Sequence, residues 1–195
     1  DTLEFAVITG CLRISKESIF TGLNNLNVVS IMDTSYAEHF GFTQNEVDQM
    51  LTHYGLEQNR TAVRTWYDGY RFVISYANSC YKDKNALLRP YWSNTSSNSI
   101  VRTLVERADL SVKQEIEALI EGKTITKPLH EDITYDDMDS TQDNLWNFLF
   151  FTGYLKKISE QQDGEEILVE MAIPNSEVRY IYKNTVLRWS EEKTK

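Results

Sequence analysis

The clearest helical pattern in the chain lies just past its first fifth. Val47, Met50, Leu51 and Tyr54 recur at i, i+3, i+4 and i+7, the spacing that lines one face of an α-helix. Thr43 and Glu46 stand where a capping box requires them, Phe42 and Val47 where a hydrophobic staple closes, and Gly55 marks the end. The same reading predicts helices over 60–67 and 73–81. A fourth is capped by Ser97 or Asn98 with Ile100, Val101, Leu104 and Val105 facing inward. A fifth runs over 112–121, capped by Ser111 and stopped by Gly122. Short β-branched runs predict a buried strand over 3–8, ended by Thr9-Gly10, and two short extended pieces within 18–31. Ser140-Thr141-Gln142-Asp143 caps a helix whose Leu145, Trp146, Phe148, Leu149, Phe150 and Phe151 are too apolar all round to be exposed. Strands over 156–160 and 167–173 are joined by the Asp163-Gly164 turn. Pro174-Asn175 then opens a last helix with Val178, Ile181, Tyr182, Val186 and Trp189 on one stripe. The fold class expected is α+β and predominantly helical. Its tail, helix, strand, turn, strand, helix, has the outline of a winged-helix unit.

Composition changes this picture mainly by what it counts against. The chain has 195 residues, enough to bury a sizeable core, and 41 % of them are hydrophobic, which suits a globular protein. Twenty Lys and Arg against 29 acids leave a net charge of −9, which repels phosphate backbones overall. The acid-rich segment 131–143 reads as a solvated connection, since no histidine or cysteine joins its carboxylates. Cys11 and Cys80 read as reduced thiols, and a disulfide framework is not expected. No run reaches the roughly 18 apolar residues of a membrane span, and no secretory leader opens the chain. The expected compartment is the cytoplasm.

Candidate chemistry is sparse. Gly122-Lys123-Thr124 imitates the end of a phosphate-binding loop, but that loop needs Gly-x-x-x-x-Gly-Lys-Ser/Thr between a strand and a helix. Here Glu117 stands five positions before Gly122 and a helix precedes it, so the string reads as a helix end. A PD-(D/E)XK nuclease site needs Glu-x-Lys on a strand. Glu166-Ile167-Leu168 and Glu170-Met171-Ala172 both lack the lysine. His39, His53 and His130 form no triad or zinc pattern.

The most distinctive string is Trp66-Tyr67-Asp68-Gly69-Tyr70-Arg71-Phe72, in which an Asp-Gly turn sits among large rings. Others follow in order around it. Ile8-Thr9-Gly10-Cys11-Leu12-Arg13 and Phe40-Gly41-Phe42-Thr43 precede it. Pro90-Tyr91-Trp92-Ser93-Asn94-Thr95, Ile133-Thr134-Tyr135-Asp136-Asp137, Thr152-Gly153-Tyr154-Leu155, Ile173-Pro174-Asn175 and Glu177-Val178-Arg179 come after. As an ordered set spanning nearly the whole chain, these resemble the AAA-ATPase-like proteins, P-loop ATPases commonly fused to a PD-(D/E)XK nuclease domain. The resemblance implies a C-terminal portion without Walker A: residues 1–33 as the last strands of the ATPase core, 34–130 as a helical lid, and 131–195 as a winged-helix-like subdomain. Thr9 then matches the polar residue that senses the γ-phosphate, with Arg13 as the nearest cation. ATP and Mg²⁺ would belong to the parent protein, and no cofactor to this portion. Its partners would be the parent's ATP core and nuclease-like domain, with no membrane. Trp66, Tyr67, Asp68, Gly69 and Tyr70 would form a structural pivot of the lid, their rings packed on neighbouring helices.

One departure stands out: the family carries a short loop after Gly-Tyr-Arg-Phe, whereas Phe72 here runs directly into Val73. Missing residues between them are the expectation. The rival function is a winged-helix module that binds nucleic acid through Arg179, Lys183 and Arg188. A further one is a protein-interaction platform using aromatics near Tyr91 and Trp92.

Overall fold

The computed structural model describes residues 7, 9–10, 29–33, 36, 39, 41–70, 97–131, 133–134, 137 and 140–192, with backbone alone for 97–100 and 187–192. The expectations for 73–81, for Arg13, for the two cysteines, for the Phe72–Val73 junction and for Tyr91-Trp92 fall outside these residues. Among the described residues the fold is α+β, with six α-helices and one three-stranded antiparallel sheet. The helices are α1 (Gln44–His53), α2 (Arg60–Tyr67), α3 (Ser97–Arg107), α4 (Leu110–Ile120), α5 (Gln142–Phe151) and α6 (Ser176–Glu192). The strands are β1 (Ile125–Pro128), β2 (Lys156–Asp163) and β3 (Glu166–Ala172), in the order β1-β3-β2.

Helix α1 forms where its capping box predicts. The Glu46 N–H donates to Thr43 Oγ1 at 3.3 Å, and the Thr43 N–H donates back to Glu46 Oε2 at 2.7 Å. Those bonds also hold the Glu46 carboxyl below its usual range. Val47 and Leu51 are buried, but Phe42 and Tyr54 are left exposed. The predicted stripe is therefore narrower than its periodicity suggests. At the C-terminus Gly55 takes φ +66°, and the Leu56 N–H reaches back to Leu51 O at 2.8 Å. That is a Schellman closure, which needs a left-handed residue.

Three other expectations shift. Helix α3 already contains Ser97 and Asn98, so neither is its cap. Helix α4 is capped by Asp109, whose Oδ1 accepts from the Val112 N–H at 3.0 Å. Ser111 lies inside the first turn and donates to the same oxygen at 2.8 Å. A carboxylate outcompetes a hydroxyl for this place because it adds charge at the positive end of the helix. Val7, expected in a buried strand, is 72 % exposed and outside any strand. The other residues of that predicted strand lie outside the described residues.

Strand β1 was not foreseen. Ile125 pairs with Met171 and Lys127 with Val169, so the sheet reaches back across residue 131 into the segment read as lid. Lys127 ties this edge to the helices. Its Nζ bonds Glu115 Oε1 of α4 at 2.7 Å and lies 5.4 Å from the centroid of the Trp146 ring on α5. The hairpin turns at Gly164, φ +63°, between the paired residues Asp163 and Glu166. The segment after β1 is not simply solvated, since Ile133 and Thr134 are buried. Asn147, fully buried on α5, takes the His130 N–H at 2.8 Å and donates to Pro128 O at 3.0 Å and Asp143 O at 2.8 Å. One amide thereby anchors the whole exit from β1.

Packing divides the described residues into two apolar clusters. The larger joins α3, α4, α5, the sheet and α6, with Trp146, Phe148, Leu149, Val169, Met171 and Tyr182 at its centre. The smaller holds Val47, Leu51, Val63 and Tyr67 of α1 and α2, with Met50, Leu56 and Trp66 half-buried around them. Where the two clusters meet, the Trp66–Tyr70 turn lies against the start of α6.

Candidate functional site

Helix α2 ends at Tyr67, whose ring is 2 % exposed in the small cluster. The Asp68 N–H closes the last turn onto Arg64 O at 3.1 Å, and Asp68 then turns extended at φ −77°, ψ 164°. Its two carboxylate oxygens are both used locally. Oδ1 accepts the Gly69 N–H at 2.6 Å, and Oδ2 faces Arg64 Nε at 3.4 Å. The expected turn is present, and Asp68 caps it as the residue type predicts.

Gly69 is indispensable for two independent reasons. Its φ of +137° is one that L side chains rarely adopt, and a Cβ built on it would lie 1.9 Å from the backbone oxygen of Pro174. Pro174 and Asn175 form the junction between β3 and α6. The Asn175 side chain faces both ways across this joint. Its Oδ1 accepts the Val178 N–H at 3.0 Å, capping α6, while its Nδ2 donates to Tyr67 O at 3.3 Å, closing the end of α2. The amide places an acceptor and a donor on two separate atoms of one short stem, so both ends can be held at once. Tyr70 completes the clasp by donating its hydroxyl to Gly153 O. Gly153 itself, at φ +84°, is the left-handed end of α5, with the Tyr154 N–H returning to Leu149 O at 2.8 Å. Beneath lie Tyr154 and Tyr182, edge to face at 6.4 Å between ring centroids, and the buried Glu177. Three of the distinctive strings, around residues 69, 153 and 175, thus converge at one joint.

A relative from Azotobacter chroococcum mcd 1, the "Uncharacterized protein in vnfD 5'region", is 27 % identical over 184 residues. The match covers 91 % of this chain and 33 % of the relative, so the chain spans about a third of that protein's length. No family model matches the chain. No solved structure matches it either.

The other sequence-derived candidates do not join this cluster. Thr9 is exposed in irregular backbone, and its suggested companion Arg13 is outside the described residues. Trp66 is half-buried and packs against the small cluster, so Tyr67, its neighbour, is the ring that fills it. Arg179, a candidate nucleic-acid contact, is committed elsewhere. Its Nη1 donates to Ile120 O at 2.9 Å, neutralising a carbonyl at the C-terminus of α4. Lys183 is exposed. The Gly122-Lys123-Thr124 string is a helix end, with the Gly122 and Lys123 N–H groups donated to Leu119 O and Ala118 O, each at 3.0 Å. Those two N–H groups cannot cradle a phosphate.

Sequence reasoning missed the double use of Asn175. The Pro-Asn pair signalled a helix start, but nothing local signals a donor reaching a carbonyl 108 positions away.

The joint also predicts a pH dependence. Burial first, then Glu177 and Tyr154 nearby, push the Tyr70 phenol well above its ordinary value, and burial does the same to Tyr182. The folded state therefore holds these protons at a pH where the unfolded chain releases them. Their contribution is complete below about pH 10, the unfolded value, and is lost as pH rises beyond it. In urea melts from about pH 9 to about pH 11, Tyr70→Phe should lose less stability than the parent. Parallel losses in the two proteins would mean that the phenol ionises freely in the clasp.

Proposed function

We propose that this chain is the lid and winged-helix-like part of an AAA-ATPase-like protein, a region that transmits nucleotide state without turnover of its own. The observation that carries this reading is the convergence of residues 66–70, 152–155 and 173–179. In sequence they are separate members of the set on which the family resemblance rests; in the fold they form one joint between two packed units. Lids of such ATPases work by differential contacts in two nucleotide states, and a joint of defined geometry is what such a part needs. The winged-helix outline is supported by the sequence of α4, β1, α5, β2 and β3 with the sheet order β1-β3-β2. A parent of greater length accords with a relative of which this chain matches 33 %.

The described residues do not fit a phosphate cradle, so nucleotide and Mg²⁺ would be held by other parts of the parent, and no step here runs through them. Isothermal titration of this chain with Mg-ATP should show no micromolar binding. Micromolar affinity would overturn the reading.

A second reading, nucleic-acid binding, is favoured by the winged-helix order alone. In that order α5 is the helix preceding the hairpin, the position from which such units insert into a groove. Here six consecutive residues of α5, 145–150, are buried, which leaves little of its face for a base edge. A gel shift at physiological salt is expected to be negative. A shift that weakens steeply with salt would favour the second reading over the first.

A further inference from the structure

The two edges of the sheet are protected unequally. Edge strand β1 has four residues, ends at Pro128 and is tied to α4 and α5 through Lys127. Shortness, a proline and a covering contact all discourage a further strand from adding. Edge strand β2 has eight residues, and every residue of the hairpin from Lys157 to Ile167 is exposed. Its own blunting devices, Lys156, Lys157 and the bulge between Lys157 and Ser159, sit together at the end nearest the body. Beyond the bulge, Ser159 to Asp163 pair residue for residue with β3. The order β1-β3-β2 gives them no strand on their other side among the described residues. Charge along this edge runs from basic to acidic. Lys156 and Lys157 open β2, and Lys157 Nζ holds Glu160 Oε2 at 3.0 Å. Asp163, Glu165 and Glu166 form the tip, with no ion pair among the described residues. A strand of that polarity repels a parallel copy of itself and attracts an antiparallel one.

We infer that β2 is a self-association edge, on which a second copy of this chain adds its own β2 antiparallel about a two-fold axis at Gln161. The two sheets then form one sheet of six strands. Faces and charges both select this register. Ser159, Gln161 and Asp163 lie opposite Glu170, Leu168 and Glu166 of β3, and so share one face. Glu160 and Gln162 lie opposite Val169 and Ile167, on the other face. An axis at Gln161 sets Ser159 against Asp163 of the second copy, and Glu160 against its Gln162, each pair on one face. Gln162 Nε2 has a second N–H beyond the one given to Gly164 O at 3.2 Å, and the opposing carboxylate accepts it. The two Gln161 amides each carry a donor and an acceptor and satisfy one another across the axis. The acidic tip of each copy comes to lie toward the lysines of the other. Centring the pair on Glu160 sets that carboxylate against itself, and a parallel pair in register does the same to Asp163 as well. The pairing is isologous, so it closes at two copies and does not propagate. The inference rests on the hairpin and is independent of the ATPase-like reading.

Sedimentation equilibrium of the 195-residue chain, without nucleotide, tests it. At about 0.15 M salt the net charge of each copy is screened beyond about 8 Å, which leaves the local match to decide. The mass is expected to approach twice the monomer's at about 100 μM and to fall toward the monomer's at about 1 μM. Gln161→Lys and Gln161→Glu each set like charges across the axis, and each alone is expected to stay monomeric at about 100 μM. An equal mixture of the two sets opposite charges there and should recover the dimer. Far-ultraviolet circular dichroism of both variants should match that of the unsubstituted chain, because Gln161 is exposed. An unsubstituted chain that stays monomeric at about 100 μM would overturn the inference and leave the edge to a strand from elsewhere in a longer protein. Dimers in both single variants, no recovery in the mixture, or loss of the fold in either variant would overturn it too.

Discussion

Gly69→Val should split thermal unfolding into two steps, with α1–α2 lost first and the α3–α6 body melting close to the parent. The reason lies in how the strain can be relieved. At φ +137° a β-branched residue meets backbone strain of about 1–3 kcal/mol. Its Cβ would also fall 1.9 Å from Pro174 O, a backbone atom that no rotamer change can move aside. Either Pro174 shifts or the turn lets go. Shifting Pro174 disturbs Ile173 and Asn175, both buried at the edge of the large cluster. Release forfeits two hydrogen bonds, at about 0.5–1.5 kcal/mol each, and the partial burial of the Tyr70 ring. Release spares the larger core, so it wins. Near-ultraviolet circular dichroism and calorimetry on the same samples would read the two steps. A single transition at the parental temperature would mean that Gly69 faces open space in solution and that the clasp is misassigned.

The contrast between what was legible and what was not follows the range of the interactions. The capping box of α1, the span 60–67, the helix end at Gly122, the turn at Gly164 and the stripe of α6 from Val178 to Val186 each depend on residues within one or two turns of each other. All are present. Where two local candidates compete, pattern alone does not choose. Asp109 and Ser111 are both good caps, and the charge of Asp109 decides. Strand β1 was invisible because four residues, Ile125–Pro128, carry no periodicity. Their partner strand lies some forty positions later, and Pro128 discourages a strand assignment. The 131–143 connection misled for the same reason, since its acids are evident but the anchor, Asn147, comes from the next helix. At the candidate site every string was visible as an oddity. Their meeting was not, because it is made by bonds spanning 83 and 108 positions.

The two adjacent aromatics of the turn should prove unequal. Both Trp66 and Tyr67 lie in the last turn of α2, and size alone suggests that the indole carries more buried area. Helical geometry decides otherwise, since successive residues are rotated by about 100° and cannot both point into the centre of one cluster. Tyr67 falls on the side of Val63, four positions back, and is buried with it, whereas Trp66 remains half-buried at the rim. Tyr67→Ala should therefore cost about 3–5 kcal/mol, the range for emptying a core aromatic site. Trp66→Ala should cost only about 1–2 kcal/mol, in proportion to its partial burial. The Tyr67 loss must also spread. Its carbonyl is the one held by Asn175 Nδ2, so a collapsed ring site shifts the acceptor and loosens the clasp. Hydrogen exchange over 44–67 should accelerate more in Tyr67→Ala than in Trp66→Ala, and urea melts should rank them in the same order. The reverse order in both measurements would place the indole in the core and the phenol at the surface, against the packing of α1 and α2 described above.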